Sequence, residues 1–256
     1  MTATEPPPPP PPPAAAKVKV KTTLPTQPFP PSPPPIRTAR LVLRALTEGD
    51  VAALHALRAQ RAVMAAAYTG VTVRPDRDPD ETRAWLAPYL PPLGGEDTFI
   101  PGICLADTGE LIGLGGVYHV DADGDDELGW PEVGYMLREE HWGRGYATEF
   151  LQAFLSAWWR MPRSEARIAV DAMSVAGLVV GDQDRDRGGR EGEGEEEEEV
   201  PEMLCAVIEE TNLRSLRVLE KTGFKRFRTW TEASQRPGEE GTEVTLIGFV
   251  SVRLEA

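Results

Sequence analysis

The sequence predicts a mixed α/β domain, and three stretches carry that prediction. Between Thr98 and Val120, two apolar runs flank Asp107-Thr108-Gly109, the pattern of a hairpin. A strand candidate, Glu132 to Leu137, then feeds a turn holding two glycines, and a helix follows with apolar residues at Ala147, Phe150, Leu151, Phe154, Leu155 and Trp158. That spacing keeps one stripe of the helix apolar over roughly three turns. Further on, Asn212 opens a second amphipathic stretch through Leu213, Leu216 and Leu219, and Gly223-Phe224 closes it.

Taken in order, the chain opens with a tail. Of the 25 prolines, 15 lie in residues 1–35, with an unbroken Pro6–Pro13 run and Pro33–Pro35. Such a segment supports neither helix nor central strand, so residues 1–35 are expected to be disordered or polyproline II-like. It would act as a spacer, or as a ligand for an SH3- or WW-type partner. Residues 36–256 are the expected folded domain. Ile36 to Ala45 alternates around Leu41 and Leu43 and reads as its first strand. Thr47, with Asp50 three residues on, caps a helix that buries Val51, Leu54 and Leu57. A further helix spans about Asp80 to Leu86, after a loop at residues 65–79.

The strand from Glu110 to Val120 contains Gly113, Gly115 and Gly116, where either something presses on the backbone or the strand is bulged. A polar turn, Asp121 to Asp126, leads to the central strand Pro131 to Leu137. After the long helix the periodicity stops. Residues 174–202 are rich in Gly, Asp, Glu and Arg and are expected to be a disordered acidic insertion, which a surface loop absorbs at little entropic cost. Met203 to Ile208 resumes as a strand, and two last strands cover about Lys225 to Thr231 and Thr242 to Arg253.

Charge sets limits on function. The net −14 is concentrated: residues 182–199 hold ten acids against three arginines, half of the whole excess. The rest is mildly acidic and carries no basic stripe, so nucleic acid is not an expected partner. Cys104 and Cys205 sit in apolar strand-like sequence and suggest buried thiols, with neither a disulfide framework nor a metal site. His55, His119 and His141 show no ligand spacing. There is no apolar leader and no stretch long enough to span a bilayer. A cytoplasmic location is expected, with the nucleus left open.

The chemistry gathers at His141-Trp142-Gly143-Arg144-Gly145-Tyr146-Ala147-Thr148-Glu149. Two glycines entering a helix leave backbone N–H groups free and let a ligand approach the main chain, and the helix N-terminus favours an anion such as a pyrophosphate. Arg144 adds a cation capable of bidentate contact. A Walker loop is excluded because its longer glycine spacing and Lys-Ser/Thr are missing; a dinucleotide fingerprint is excluded because its third glycine is missing.

T-A-R-L-V-L-R at residues 38–44, W-G-R-G-Y-A-T-E at 142–149 and T-N-L-R-S-L-R-V-L-E-K-T-G-F at 211–224, in this order, resemble the GNAT superfamily of acetyl-CoA-dependent N-acetyltransferases. The likeness is greatest to the branch of ribosomal-protein N-terminal acetyltransferases, the RimJ/RimL type, and covers roughly residues 36–253. It implies a twisted, mostly antiparallel sheet of six or seven strands with helices on both faces. It also implies acetyl-CoA as cosubstrate, no metal, and an amine acceptor that is a protein N-terminus or a small molecule.

The resemblance assigns the backbone from Gly143 to Thr148, with Trp142, Arg144, Tyr146 and Ala147, to the coenzyme A pyrophosphate. Asn212 and Ser215 match positions that reach the pantetheine or phosphate portion. For Asn212, a simple helix cap is the competing reading.

An acceptor amine must lose a proton before or as it attacks, which a carboxylate can take. Glu132 is the candidate, with Glu139, Glu140 and Glu149 behind it. Many relatives carry a tyrosine in the last helix to protonate the departing thiolate, where this chain has Leu219. Ser215 or water would then take that part. The reading from another class is a non-catalytic acyl-CoA-binding or interaction module, which would hold the ligand and release no thiol.

Overall fold

The computed structural model describes residues 16–30, 33–67, 74–90, 97–118, 120, 128–176, 198–234, 236, 238–239 and 241–253. The elements run β1 (Lys17–Pro25), β2 (Ile36–Arg37), β3 (Leu41–Arg44), α1 (Val51–Arg58), α2 (Arg61–Ala66), α3 (Pro79–Leu86), β4 (Gly102–Leu105), β5 (Leu111–Val117), β6 (Val133–Leu137), α4 (Tyr146–Trp158), β7 (Arg163–Asp171), α5 (Ala172–Val175), β8 (Glu198–Glu199), β9 (Met203–Glu209), α6 (Leu213–Lys221), β10 (Lys225–Ala233) and β11 (Glu243–Val252). The Pro6–Pro13 run, the 121–126 turn and most of the acidic stretch lie outside the described residues. No helix among the described residues is long and apolar enough to cross a membrane.

Strand alternation decides what covers each face of the main sheet, an antiparallel array in the order β2-β3-β4-β5-β6. Leu41, Leu43, Ile103 and Ile112 face Phe150, Phe154 and Trp158 of α4. Cys104, Leu111 and Leu114 point the other way, onto Leu54 and Leu57 of α1 and Leu86 of α3. Both faces are therefore closed by helices, as the family resemblance implies. A second antiparallel sheet, β10-β11-β9, meets the first at one described bridge, where Glu132 and Cys205 pair in parallel.

The predicted Thr47–Asp50 capping pair is present, and the helix expected from about Asp80 starts at Pro79. The Thr47 N–H and hydroxyl both donate to Asp50, at 2.8 and 2.9 Å. Asp78 caps α3 by accepting from the Glu81 N–H at 2.9 Å. The glycine question in β5 also resolves. A Cβ on Gly113 would lie 2.2 Å from the Met136 carbonyl, and one on Gly116 would lie 1.9 Å from the Phe99 carbonyl. The neighbouring strand and the Phe99 segment are what press on this backbone, so a ligand is not needed to explain the glycines.

Two expectations need correction. The tail does not stay irregular to residue 35: Lys17–Pro25 is a strand, paired antiparallel with β7 over its whole length. Its Lys-Val-Lys-Val-Lys alternation, followed by Thr22 and Leu24, buries Val20, Thr22 and Leu24 on one side. That period of two was legible and was overridden by the surrounding prolines. The stretch 174–202 is ordered at both described ends. Ser174 and Val175 are buried in α5, Glu198–Glu199 pairs with β1, and Val200 and Glu202 are buried. The reason is the third sheet, β7-β1-β8, which the sequence reading did not contain.

The helix α2 was not anticipated either. It has no capping side chain, and tertiary bonds hold it. The Gln60 side chain accepts from the Glu139 N–H at 2.7 Å and donates to Glu140 at 2.9 Å.

Candidate active site

The glycine turn takes a shape that requires its glycines. After β6, a 3-10 turn at Glu139–His141 brings the chain to Trp142, whose indole N–H donates to the Leu137 carbonyl at 2.7 Å. Gly143 and Gly145 then adopt φ of 73° and 81°, the left-handed region that a side chain makes costly. Gly145 is the N-cap of α4 and has no side chain to cap the first turn. Those first-turn N–H groups are therefore left to an anion, and the helix dipole favours the same charge.

A clamp behind the turn sets its position. Glu149, one turn into α4, accepts from the Thr38 hydroxyl at 2.6 Å, the Arg40 N–H at 2.9 Å and Arg40 Nε at 2.6 Å. Arg40 also donates to the Arg144 carbonyl at 2.9 Å and lies 4.7 Å from the centre of the Tyr146 ring. The opening strand segment thus holds the phosphate-type turn through its backbone. Burial would raise the Glu149 carboxyl, but the bonds from Thr38 and Arg40 outweigh it and hold the group below the usual carboxylate range. A carboxylate so engaged is a poor base, which removes Glu149 from the candidates.

The facing wall is α6. Asn212 caps it, accepting from the Ser215 N–H at 3.1 Å, and its amide reaches the Ala66 carbonyl at 3.4 Å. The cap reading of Asn212 is therefore realised, and the same side chain lines the cleft. Arg214, Arg217 and Lys221 project from one face of this helix into the cleft. The Arg214 guanidinium stacks 4.5 Å above the Trp142 ring, joining the two walls. Along the floor run Tyr135, Met136 and Leu137 of β6, past the point where the Glu132–Cys205 bridge ends the contact with β9.

The cleft encloses about 390 Å³, within the range of small-molecule sites. It brings together Trp142, Gly143, Gly145, Tyr146, Ala147, Thr148, Asn212 and Ser215, all named from the sequence. It does not gather the remaining two. The Arg144 side chain is exposed and away from the lining, and Arg144 contributes its carbonyl to the Arg40 clamp instead. Glu132 stands at the start of β6, outside this lining, close enough to Tyr118 for its charge to help raise that phenol, after burial and Tyr89.

The sequence reading missed Arg214, Arg217 and Lys221, although their spacing of three and four residues is a helix-face signal. It also missed His141, which is 7% exposed and lines the same cleft. Burial and Arg138 hold its imidazole below its ordinary value. Leu219, at the position where the resemblance leads one to look for a tyrosine, is buried in the core. Among the described residues, no group of three or more His, Cys, Asp or Glu side chains is placed to hold a metal ion.

Comparison with known proteins extends these observations. The family profile described as acetyltransferase (GNAT) domain matches residues 40–225. No curated protein sequence gives a significant match. Among solved structures, the chain is similar to an acetyltransferase of the GNAT family from Bacillus anthracis, with 17% identity, TM-score 0.55, and coverage of 86% of this chain and 99% of that one. A spermidine N-acetyltransferase from Vibrio cholerae, in complex with CoA and spermine, aligns with 15% identity and TM-score 0.54 over 84% of this chain and 97% of that one. RimL, a ribosomal L7/L12 alpha-N-protein acetyltransferase in complex with coenzyme A, aligns with 15% identity and TM-score 0.53, over 84% and 97%. At these identities the likeness is one of fold.

Proposed function

The chain belongs to the acetyltransferase (GNAT) domain family, and from that premise we propose that it transfers an acetyl group from acetyl-CoA to a primary amine. The observation that carries this reading is the cleft itself. Two left-handed glycines open α4 on one side, and Arg214, Arg217 and Lys221 stand on the other. These residues fit a donor that is long, bears several phosphates and ends in a neutral arm.

The N–H groups at the start of α4 would hold the pyrophosphate, and the α6 cations would balance its remaining charge. Acetyl-CoA supplies an acyl group already activated as a thioester. The protein's part is to orient that group, stabilise charge on the carbonyl oxygen and sulfur, and accept the amine's proton. Glu132, immediately before the strand that floors the cleft and outside its lining, is the proposed base, acting directly or through water. Ser215, in the cleft wall, is the proposed donor to the sulfur. The amine attacks the thioester without a covalent enzyme intermediate.

Within the family, the motifs at 38–44, 142–149 and 211–224 favour the RimJ/RimL-type branch. The two coenzyme A-bound structures named above act on different acceptors, a polyamine in one and a ribosomal protein in the other. An acceptor screen should therefore span peptides with free N-termini and small amines.

Calorimetric titration with acetyl-CoA, with dephospho-CoA as control, is the deciding experiment, followed by thiol release with those acceptors. Micromolar binding and amine-dependent thiol release are expected. Binding without thiol release from any amine would favour the acyl-CoA-binding module. No binding to a folded protein would overturn both readings.

A further inference from the structure

One buried polar group in the cleft has no use in the scheme above. Tyr135 lies mid-way along β6 on the cleft floor, and its hydroxyl is shielded from solvent without a hydrogen-bond partner. A buried hydroxyl left unmade costs stability, so its persistence calls for an explanation. The ring itself is well fixed. It packs on the main core, 6.1 Å from the Phe150 ring, and a Cβ on Gly115 would come within 2.6 Å of the Tyr135 Cβ. The hydroxyl is therefore held in place chiefly by packing, with the Ser215 side chain close enough to act on it but outside hydrogen-bond geometry. Across from it stands Ser215, fixed to the first turn of α6 by the Asn212 cap.

We propose that Tyr135 is a positioning residue whose hydroxyl donates to Ser215 Oγ when acetyl-CoA is bound, aiming the Ser215 O–H at the thioester sulfur. The proposal rests on the acetyl-transfer reading and adds the residue that makes Ser215 effective. A serine hydroxyl alone rotates freely and is a weak donor; a second donor behind it fixes the rotor and polarises the O–H. Burial pushes the Tyr135 phenol up to about 12 against the opposing effect of Ser215, so the phenol stays protonated and able to donate near neutral pH. In the transfer step the amine nitrogen bonds to the carbonyl carbon and the C–S bond breaks with its electron pair on sulfur. The amine's proton goes to the base. The Tyr135-to-Ser215 chain stabilises the thiolate by hydrogen bonding, and solvent protonates it on release.

The same arrangement explains how the chain does without a phenol at Leu219, which is 1% exposed in the core. The donor pair comes half from the strand and half from the helix.

The test needs no acceptor. The thiol of coenzyme A bound to the full chain is titrated by its thiolate absorbance in wild type, Tyr135→Phe, Ser215→Ala and the double variant. The bound thiol is expected to ionise at lower pH in wild type than in either single variant. The double variant should go no further than Ser215→Ala, the signature of two groups acting in series. In Tyr135→Phe, affinity for coenzyme A below the thiol's pKa should change less than about threefold, since the residues at the phosphate turn are untouched.

Should Tyr135→Phe not fold, the phenol of Tyr135 is titrated in wild type and Ser215→Ala. Removing the serine should shift its titration, and no shift would overturn the pairing. A bound thiol that titrates identically in wild type and Tyr135→Phe also overturns the proposal while leaving acetyl transfer standing. Failure of the wild type to bind coenzyme A at all sinks the acetyl-transfer reading instead.

Discussion

Gly145 shows how much a single residue decides here. Its φ of 81° caps α4 without a side chain, and a Cβ would point at the Arg40 guanidinium 3.4 Å away. Gly145→Trp should strain the turn by about 1–2 kcal/mol and block the approach to the helix N-terminus. Acetyl-CoA affinity is expected to fall about a hundredfold or more, the loss of two or three charge-assisted hydrogen bonds. Calorimetry on the folded variant checks this, and unchanged affinity would remove the phosphate from this turn. Glu132 is a different case, since it lies off the cleft lining. Glu132→Gln should lower turnover about a hundredfold while leaving acetyl-CoA affinity intact, with the deficit greatest below the acceptor's own pKa. A pH–rate profile identical to wild type would move the base elsewhere.

At the scale of elements, α4 is aimed by its neighbours as much as by its own sequence. Its apolar face was legible because Phe150, Phe154 and Trp158 recur at helical spacing. Its anchoring to Thr38 and Arg40 through Glu149 was not, because the partners are more than a hundred residues apart, at 111 and 109. The Glu149 carboxyl has its folded pKa below its unfolded one. Its stabilisation is therefore complete at neutral pH and lost as the pH falls through the depressed folded value. Glu149→Gln should cost about 1 kcal/mol at pH 7, the lower end for bonds to a charged group because Arg40 is half exposed. The variant's stability should also decline less steeply than wild type on acidification. Denaturant melts across pH 3 to 7, a window set by the ordinary glutamate range, measure both effects.

For the whole molecule, the third sheet matters most. Glu202, 2% exposed, accepts from Arg163 Nε at 2.5 Å and the Thr23 hydroxyl at 3.1 Å, and Arg253 stands 3.7 Å away. One carboxylate thereby ties β1, β7 and the end of β11. Removing it strands a buried guanidinium, so Glu202→Ala should destabilise the fold by about 3 kcal/mol. A urea midpoint equal to that of wild type would show that the junction is dispensable. None of this was visible in sequence, where Thr23, Arg163 and Glu202 are ordinary polar residues beside prolines or acids.

The sequence alone determined the mixed α/β class, the glycine turn and the capped helix α6, and the family resemblance of its motifs named eight of the residues that share the cleft. Those signals are local: a period, a cap or a left-handed glycine is written within a few neighbouring residues. Only the tertiary structure decided that Arg144 stands outside the cleft lining and gives its carbonyl to Arg40, that Arg214, Arg217 and Lys221 form the cationic wall, and that Tyr135 lines the same cleft as Ser215. It also decided that the lysine-rich stretch after the prolines is a strand. Each of these depends on which distant segment arrives as neighbour, β7 for the strand and α6 for the cleft floor. Burial and pairing across such distances are properties of the assembled layers, and no local pattern encodes them.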